Sequence, residues 1–162
     1  YNRVVKDLNG LSQQELLDKI KQNFDIVYEG KEAFIPKEKH LFGMYIGGKW
    51  YGLKTKPGSF NEKDPVESLD VSILHNLIIA PIFDITNPRT DNRIDFVGGA
   101  KGVEELKNRV DSGEMSVAFS LFPTPIEDLM CIADSGCIMP PKSTWFEPKL
   151  QSGIFIHSMS LK

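Results

Sequence analysis

"HLFGMYIGGKWYGLKTK", His40 to Lys56, sets two short apolar and aromatic runs on either side of Gly47-Gly48. Consecutive glycines supply the positive φ angles that a two-residue hairpin turn demands. The stretch therefore predicts an antiparallel hairpin, with Lys54 and Lys56 near its open end. Strand signals lie on both sides of it. "FDIVYEG" (Phe24 to Gly30) precedes it, and "IDFV" (Ile94 to Val97) and "MSVAFSLF" (Met115 to Phe122) follow. In the last of these Met115, Val117, Phe119 and Leu121 alternate with Ser116, Ala118 and Ser120, the period-two pattern of a strand with one face packed. "GIFIHSMSL" at the end of the chain is a further candidate strand.

Four segments carry helix signatures. In "LSQQELLDKIKQNF" Ser12 is the cap, Glu15 completes a capping box, and Leu11 can staple to Leu16; Leu16, Ile20 and Phe24, with Leu17, form the apolar stripe. "DPVESLDVSILHNLIIAP" has Asp64 as cap, Pro65 in the first turn and Glu67 in the box. It is expected to end near Ile79, because Pro81 disfavours helix at the residue before it. "GVEELKNRVDSG" keeps Val103, Leu106 and Val110 on one side and stops at Gly113. "TPIEDLMCIADSG" repeats the capping grammar with Thr124, Pro125 and Glu127 and stops at Gly136. The element order predicts one α+β domain over residues 1–162: a mixed or antiparallel sheet with about four helices packed against it in a single layered unit.

Composition agrees with that class. A chain of 162 residues with 41% hydrophobic and 25% charged side chains is an ordinary globular domain, long enough to bury about two-thirds of its unfolded surface. A net charge of −3 leaves no global basic field for a nucleic-acid backbone, and no local basic patch stands in for one. No apolar run approaches the ~20 residues of a membrane span, and no signal peptide opens the chain, so the expected location is cytoplasmic. Cys131 and Cys137, six apart, match neither a CxxC pair nor half of a zinc site and read as free thiols. Cys131, among apolar neighbours, is expected to be a small buried hydrophobe. The first residue is Tyr, and "YNRVVKDL" reads as mid-protein text, so the chain is expected to be a fragment of something longer.

Three surfaces carry candidate chemistry, each beside a plainer structural reading. "IDFVGGAKGVEEL" runs from strand through glycines into helix, where Gly98, Gly99 and Lys101 can receive an anion; GGxxG matches no phosphate-loop fingerprint, and a tight turn in which glycines relieve sterics is the favoured reading. "FDITNPRTDNRIDF" offers Arg89 and Arg93 for a carboxylate or phosphate, or for local ion pairs. "MPPKSTWFEPK", Met139 to Lys149, packs three prolines, two lysines, two hydroxyls and two aromatics into eleven residues. Lys142, Ser143, Thr144 and Lys149 are anion-contact candidates on a backbone already fixed by proline, while Trp145 and Phe146 can equally plug the core of a structural crossover. His40, His75 and His157 share no metal spacing, and His75 in "SILHNLI" reads as packed rather than catalytic. The sequence specifies no cofactor and no metal site.

The phrases "YNRVVKDLNGLS", "SLDVSIL", "RTDNRIDFVGG", "DSGEMSVAFSLFPT" and "MPPKSTWFEPKLQSGIFIH", in this order along the chain, resemble the C-terminal region of a bacterial family known as domain-of-unknown-function family 1015. Members of that family are longer, and some carry labels relating them to chromosome-partitioning ParB proteins on the strength of an N-terminal Asp-Gly-His-His-Arg motif. That motif is absent from this sequence. The resemblance implies an accessory or ligand-binding domain that adds anion or phosphate contacts to an active site in a missing N-terminal half, its expected partner. The competing expectation is a structural or homodimerisation domain with no ligand of its own.

Overall fold

The hairpin forms where the sequence predicts it. In the computed structural model, which describes residues 1–144, β3 (Leu41–Ile46) pairs with β4 (Lys49–Thr55) through Gly47 and Gly48, whose φ angles are 57° and 77°. Among the described residues the hairpin is central in a six-stranded sheet. β2 (Phe24–Gly30) flanks β4, and β6 (Val117–Leu121), β1 (Asn2–Val5) and β5 (Ile94–Val97) follow on the side of β3, in the order β2-β4-β3-β6-β1-β5. Every neighbouring pair is antiparallel, which decides between the mixed and antiparallel alternatives. The expectations resting on Trp145, Phe146, Lys149, His157 and the terminal strand lie outside the described residues.

Both faces of the sheet are covered. On one face Val5, Phe42, Met44, Val117 and Phe119 pack against Leu16 and Ile20 of α1 (Gln13–Ile20) and against Ile73, Ile78 and Phe83. On the other, Val4, Tyr45, Trp50 and Ala118 meet Leu106 of α4 (Gly102–Asp111). This corrects the reading of β6 as a strand with one packed face: Ala118 and Ser120, on its supposed wet side, are buried too. Fully buried strands lose their alternation. The same reason hides β1, whose four residues are all buried and which the period-two pattern does not reveal.

The first capping box is present, with Ser12 N–H donating to Glu15 Oε2 at 2.8 Å and Glu15 N–H to Ser12 Oγ at 3.3 Å. The stripe is shorter than expected: α1 ends at Ile20, and Phe24 opens β2 instead. The second helix departs further. Asp64 does accept the Val66 and Glu67 N–H groups, at 2.8 and 2.9 Å, but it caps a turn. Regular helix begins at α2 (Asp70–Leu74), widens into a π turn (His75–Ile79), and continues as α3 (Ala80–Phe83) straight through Pro81. Proline has no N–H, and its ring presses on the carbonyl four residues back. In the π turn the Ala80 N–H reaches back to the His75 carbonyl, a one-residue widening just ahead of Pro81 that lets the rod continue to Asp84, where φ is 57°.

α5 (Ile126–Asp134) lacks its expected cap. Pro125 occupies the cap position, and the Thr124 hydroxyl donates instead to the Ser143 carbonyl at 3.4 Å. Of α5, only Ile132 is buried, against Leu69 and Val71. Cys131 is therefore exposed, contrary to expectation, although both cysteines are free as predicted.

Two measurements test this packing. A Cβ on Gly43 would press on Ser120 Oγ and stand 2.6 Å from the Phe34 carbonyl oxygen, so Gly43→Ala is expected to cost about 1–3 kcal/mol, read as a lower denaturant midpoint at unchanged slope. Asp70 is buried and accepts the His40 N–H at 2.9 Å. Burial, reinforced by Asp128 and opposed by the His40 bond and Lys39, pushes its carboxyl up to about 7. A carboxyl raised in the folded state contributes stability that is complete below its unfolded value, about 4, and is lost as pH rises through the folded one. Thermal stability is accordingly expected to fall between about pH 4 and pH 7, and Asp70→Asn to flatten that slope; an unchanged profile in the variant would exclude Asp70 as its source.

Candidate functional site

The segment 140–144 is a wall between two clefts. Ser143 is buried, its hydroxyl donating to the Pro140 carbonyl at 2.6 Å while its own carbonyl accepts from Thr124. Lys142 has a left-handed φ of 56°. Its carbonyl accepts from Arg3 Nη2 at 3.1 Å, and its ammonium lies 5.5 Å from the centre of the Tyr1 ring. The proline-rich backbone thus folds upon itself and hangs on β1.

One side of the wall faces a cleft of about 330 Å³ that Ser143 and Thr144 share with Gly99, Tyr1, Phe122 and Pro123. The other side, with Pro140 and Pro141, faces a cleft of about 460 Å³ lined by Arg3, His75, Asn76, Asn87 and Arg89, with the exposed Glu67 at its rim. The anion candidates are thereby separated. Ser143, Thr144 and Gly99 reach the first cleft and Arg89 the second, while Lys142 lines neither. Gly98 precedes the short 3-10 turn Gly99–Lys101 with an ordinary φ of −60°, and Lys101 is exposed at the start of α4. Arg93 grips Asp91 with Nε at 3.2 Å and Nη2 at 2.8 Å and donates to the Phe83 and Asp84 carbonyls at 3.0 Å, tying the loop to the end of α3.

Two further residues of the larger cleft are titratable or charged, and the sequence reading gives neither a functional role. Arg3, in the middle of β1, is 6% exposed. Its guanidinium donates to the Tyr1 carbonyl at 2.6 Å and the Lys142 carbonyl at 3.1 Å and stands 4.6 Å from the centre of the Phe96 ring. Among the described residues no carboxylate pairs with it. Burial lowers its pKa to about 10. His75 begins the π turn, half-buried; burial first and the Arg3 charge second depress its pKa, against a hydrogen bond with the Thr86 backbone that raises it. Arg89 is set at the mouth by a side-chain turn in which its N–H donates to Asn87 Oδ1 at 3.1 Å. The one sequence signal for Arg3 is an arginine directly before two valines, a pattern that becomes informative only once β1 is known to be interior.

Among the described residues no cluster of His, Cys, Asp or Glu is placed to hold a metal ion, and no helix is long and apolar enough to cross a membrane. Residues 1–72, from β1 into the start of α2, match the model of a family described as "Protein of unknown function (DUF1015)", which supports membership of the family that the sequence phrases resemble. No curated protein and no solved structure matches the chain.

The roles within the wall are separable by mutation. Ser143→Ala removes a buried hydrogen bond and is expected to cost about 1 kcal/mol of stability, whereas Thr144→Ala, whose side chain makes no such bond among the described residues, should stay within about 0.5 kcal/mol of the parent. Equal losses in urea denaturation would contradict this division.

Proposed function

We propose that this DUF1015-family chain is a ligand-binding module that takes a small molecule bearing a carboxylate or phosphate group in the cleft of Arg3, His75 and Arg89. Arg3 carries the reading. A guanidinium has five donors and a permanent charge, and two carbonyls with an aromatic face give it partners without neutralising it. Holding such a cation out of water is costly, and an anion entering the cleft recovers part of that cost in surroundings where charge-assisted hydrogen bonds are strong. Arg89 at the mouth adds a second, solvent-accessible cation, and the volume suits a metabolite-sized ligand.

In a longer chain the same cleft would add anion contacts to an active site carried by another segment, the accessory role that the family resemblance implies. The family's ParB-like label and a bacterial, cytoplasmic setting belong to this proposal; two exposed free thiols support a reducing compartment. A second reading, dimerisation, is favoured by a specific feature: Ile126 and Met130, one helical turn apart on α5, are 56% and 59% exposed, and Ile138 is 86% exposed.

Titration calorimetry with sulfate, phosphate and citrate tests the first reading. Arg89→Ala is expected to weaken binding about tenfold, the loss of one charge-assisted contact worth about 1.5 kcal/mol, while Lys142→Ala, outside both clefts, leaves affinity unchanged. Absence of binding by the parent, or an unaltered affinity in Arg89→Ala, refutes it. A concentration-dependent dimer in light scattering that Met130→Asp abolishes would support the second reading.

A further inference from the structure

The larger cleft sets a titratable ring beside a cation that cannot titrate. His75 occupies the first position of the π turn and, with Asn76, lines the cleft that Arg3 lines from β1. π turns recur at functional sites because they displace one residue from the regular helical surface at a cost to the hydrogen-bond ladder. The ring shares this cleft with Asn87 and Arg89 of the following loop, whose Thr86 backbone opposes the lowering of its pKa.

We propose that this cleft binds its anion together with a proton, the imidazole of His75 becoming an imidazolium that joins Arg3 and Arg89 around a dianionic group such as a sulfate, a phosphate monoester or a dicarboxylate. The inference rests on the anion-binding reading above and adds its regulation by pH. Its cause is electrostatic. In the empty cleft, burial and the Arg3 charge both disfavour the protonated ring. An anion beside Arg3 cancels that repulsion and supplies the imidazolium with a partner, so the ring protonates at higher pH when the ligand is bound. By linkage, affinity rises as pH falls and is lost as pH rises through the ligand-bound value of His75.

The other charged groups around the ring do not supply the same response. Glu67 at the rim is exposed and opposes the anion once ionised. Arg93 and Asp91 neutralise each other across the loop at 2.8 Å. The Lys142 ammonium is directed at Tyr1. Asp70, on α2, lies with Lys39 and Asp128 in a separate small pocket. His75 is thus the one group lining this cleft, among the described residues, whose ordinary titration falls between about pH 5 and pH 8.

Sulfate is the probe of choice because its own charge does not change in that range. Calorimetry at constant ionic strength is expected to give a sulfate affinity about tenfold higher at about pH 5.5 than at about pH 8, and the His75 C2–H resonance should titrate at higher pH with sulfate present. His75→Gln, which keeps a polar side chain but cannot charge, should bind at the weaker, high-pH level throughout. Equal affinity at both pH values, or a pH dependence that survives in His75→Gln, overturns the inference while leaving the binding reading intact. No sulfate binding at either pH overturns both.

Discussion

β1 is paired on both sides, with β5 and with β6, and that double pairing is the constraint on which the candidate site depends. The register sets Arg3 opposite Phe96 on one neighbour and Phe119 on the other. An arginine at an edge strand would turn outward to water. In an interior strand it has no such exit, so its guanidinium must find partners along the sheet face. It finds the Phe96 ring and the carbonyls of Tyr1 and Lys142. The wall between the clefts is therefore attached to the sheet by the same cation that charges the larger cleft. Stability and electrostatics converge on one side chain there.

Elements defined by local chemistry were legible in the sequence. Gly47-Gly48 forced a turn whatever surrounded it, and the Ser12–Glu15 box is completed within four residues, so neither required knowledge of the fold. Elements defined by their neighbours were not. β1 and β6 are covered on both faces, which erases the alternation that marks a half-buried strand. Asp64 formed its half of the box, while its own N–H went to the Asn61 carbonyl, and no helix started there, Leu69 being extended five residues later. Thr124 had the right spacing for a cap, but the helix begins one residue later, with Pro125 at the cap position, and the Thr124 hydroxyl donates to the Ser143 carbonyl. Capping patterns report a satisfied first turn, and whether a helix grows from that turn is decided by packing.

The site was legible in the same partial way. "MPPKSTWFEPK" drew attention for its concentration of donors, and the wall it helps to build does border both clefts. Yet Ser143, the middle member of its polar triplet, turned inward to Pro140, and the buried cation of the larger cleft, Arg3, came from the other end of the sequence. A short hydroxyl beside a proline readily closes a local ring, since the fixed backbone presents a carbonyl within reach. An arginine joined to a cleft through strand pairing leaves no comparable local trace. Arg89 was singled out as an arginine in a charged loop, able to grip a carboxylate or phosphate; Arg3 was not, because its surroundings are set by β5, β6 and the 140–144 segment together.

The π turn links these observations. Pro81 makes an uninterrupted α-helix untenable, and the helical rod could have ended there, as the sequence suggested. The chain instead accepts a widened turn, which keeps Ile82 and Phe83 in the core and Ile85 behind them. His75 and Asn76, the first two residues of the turn, line the cleft. Restoring a regular helix by replacing Pro81 would leave the apolar residues of α3 one position out of phase with the sheet, so the core itself resists removal of the turn. The position of His75 is in that sense a consequence of packing, and the electrostatic coupling to Arg3 is inherited from it.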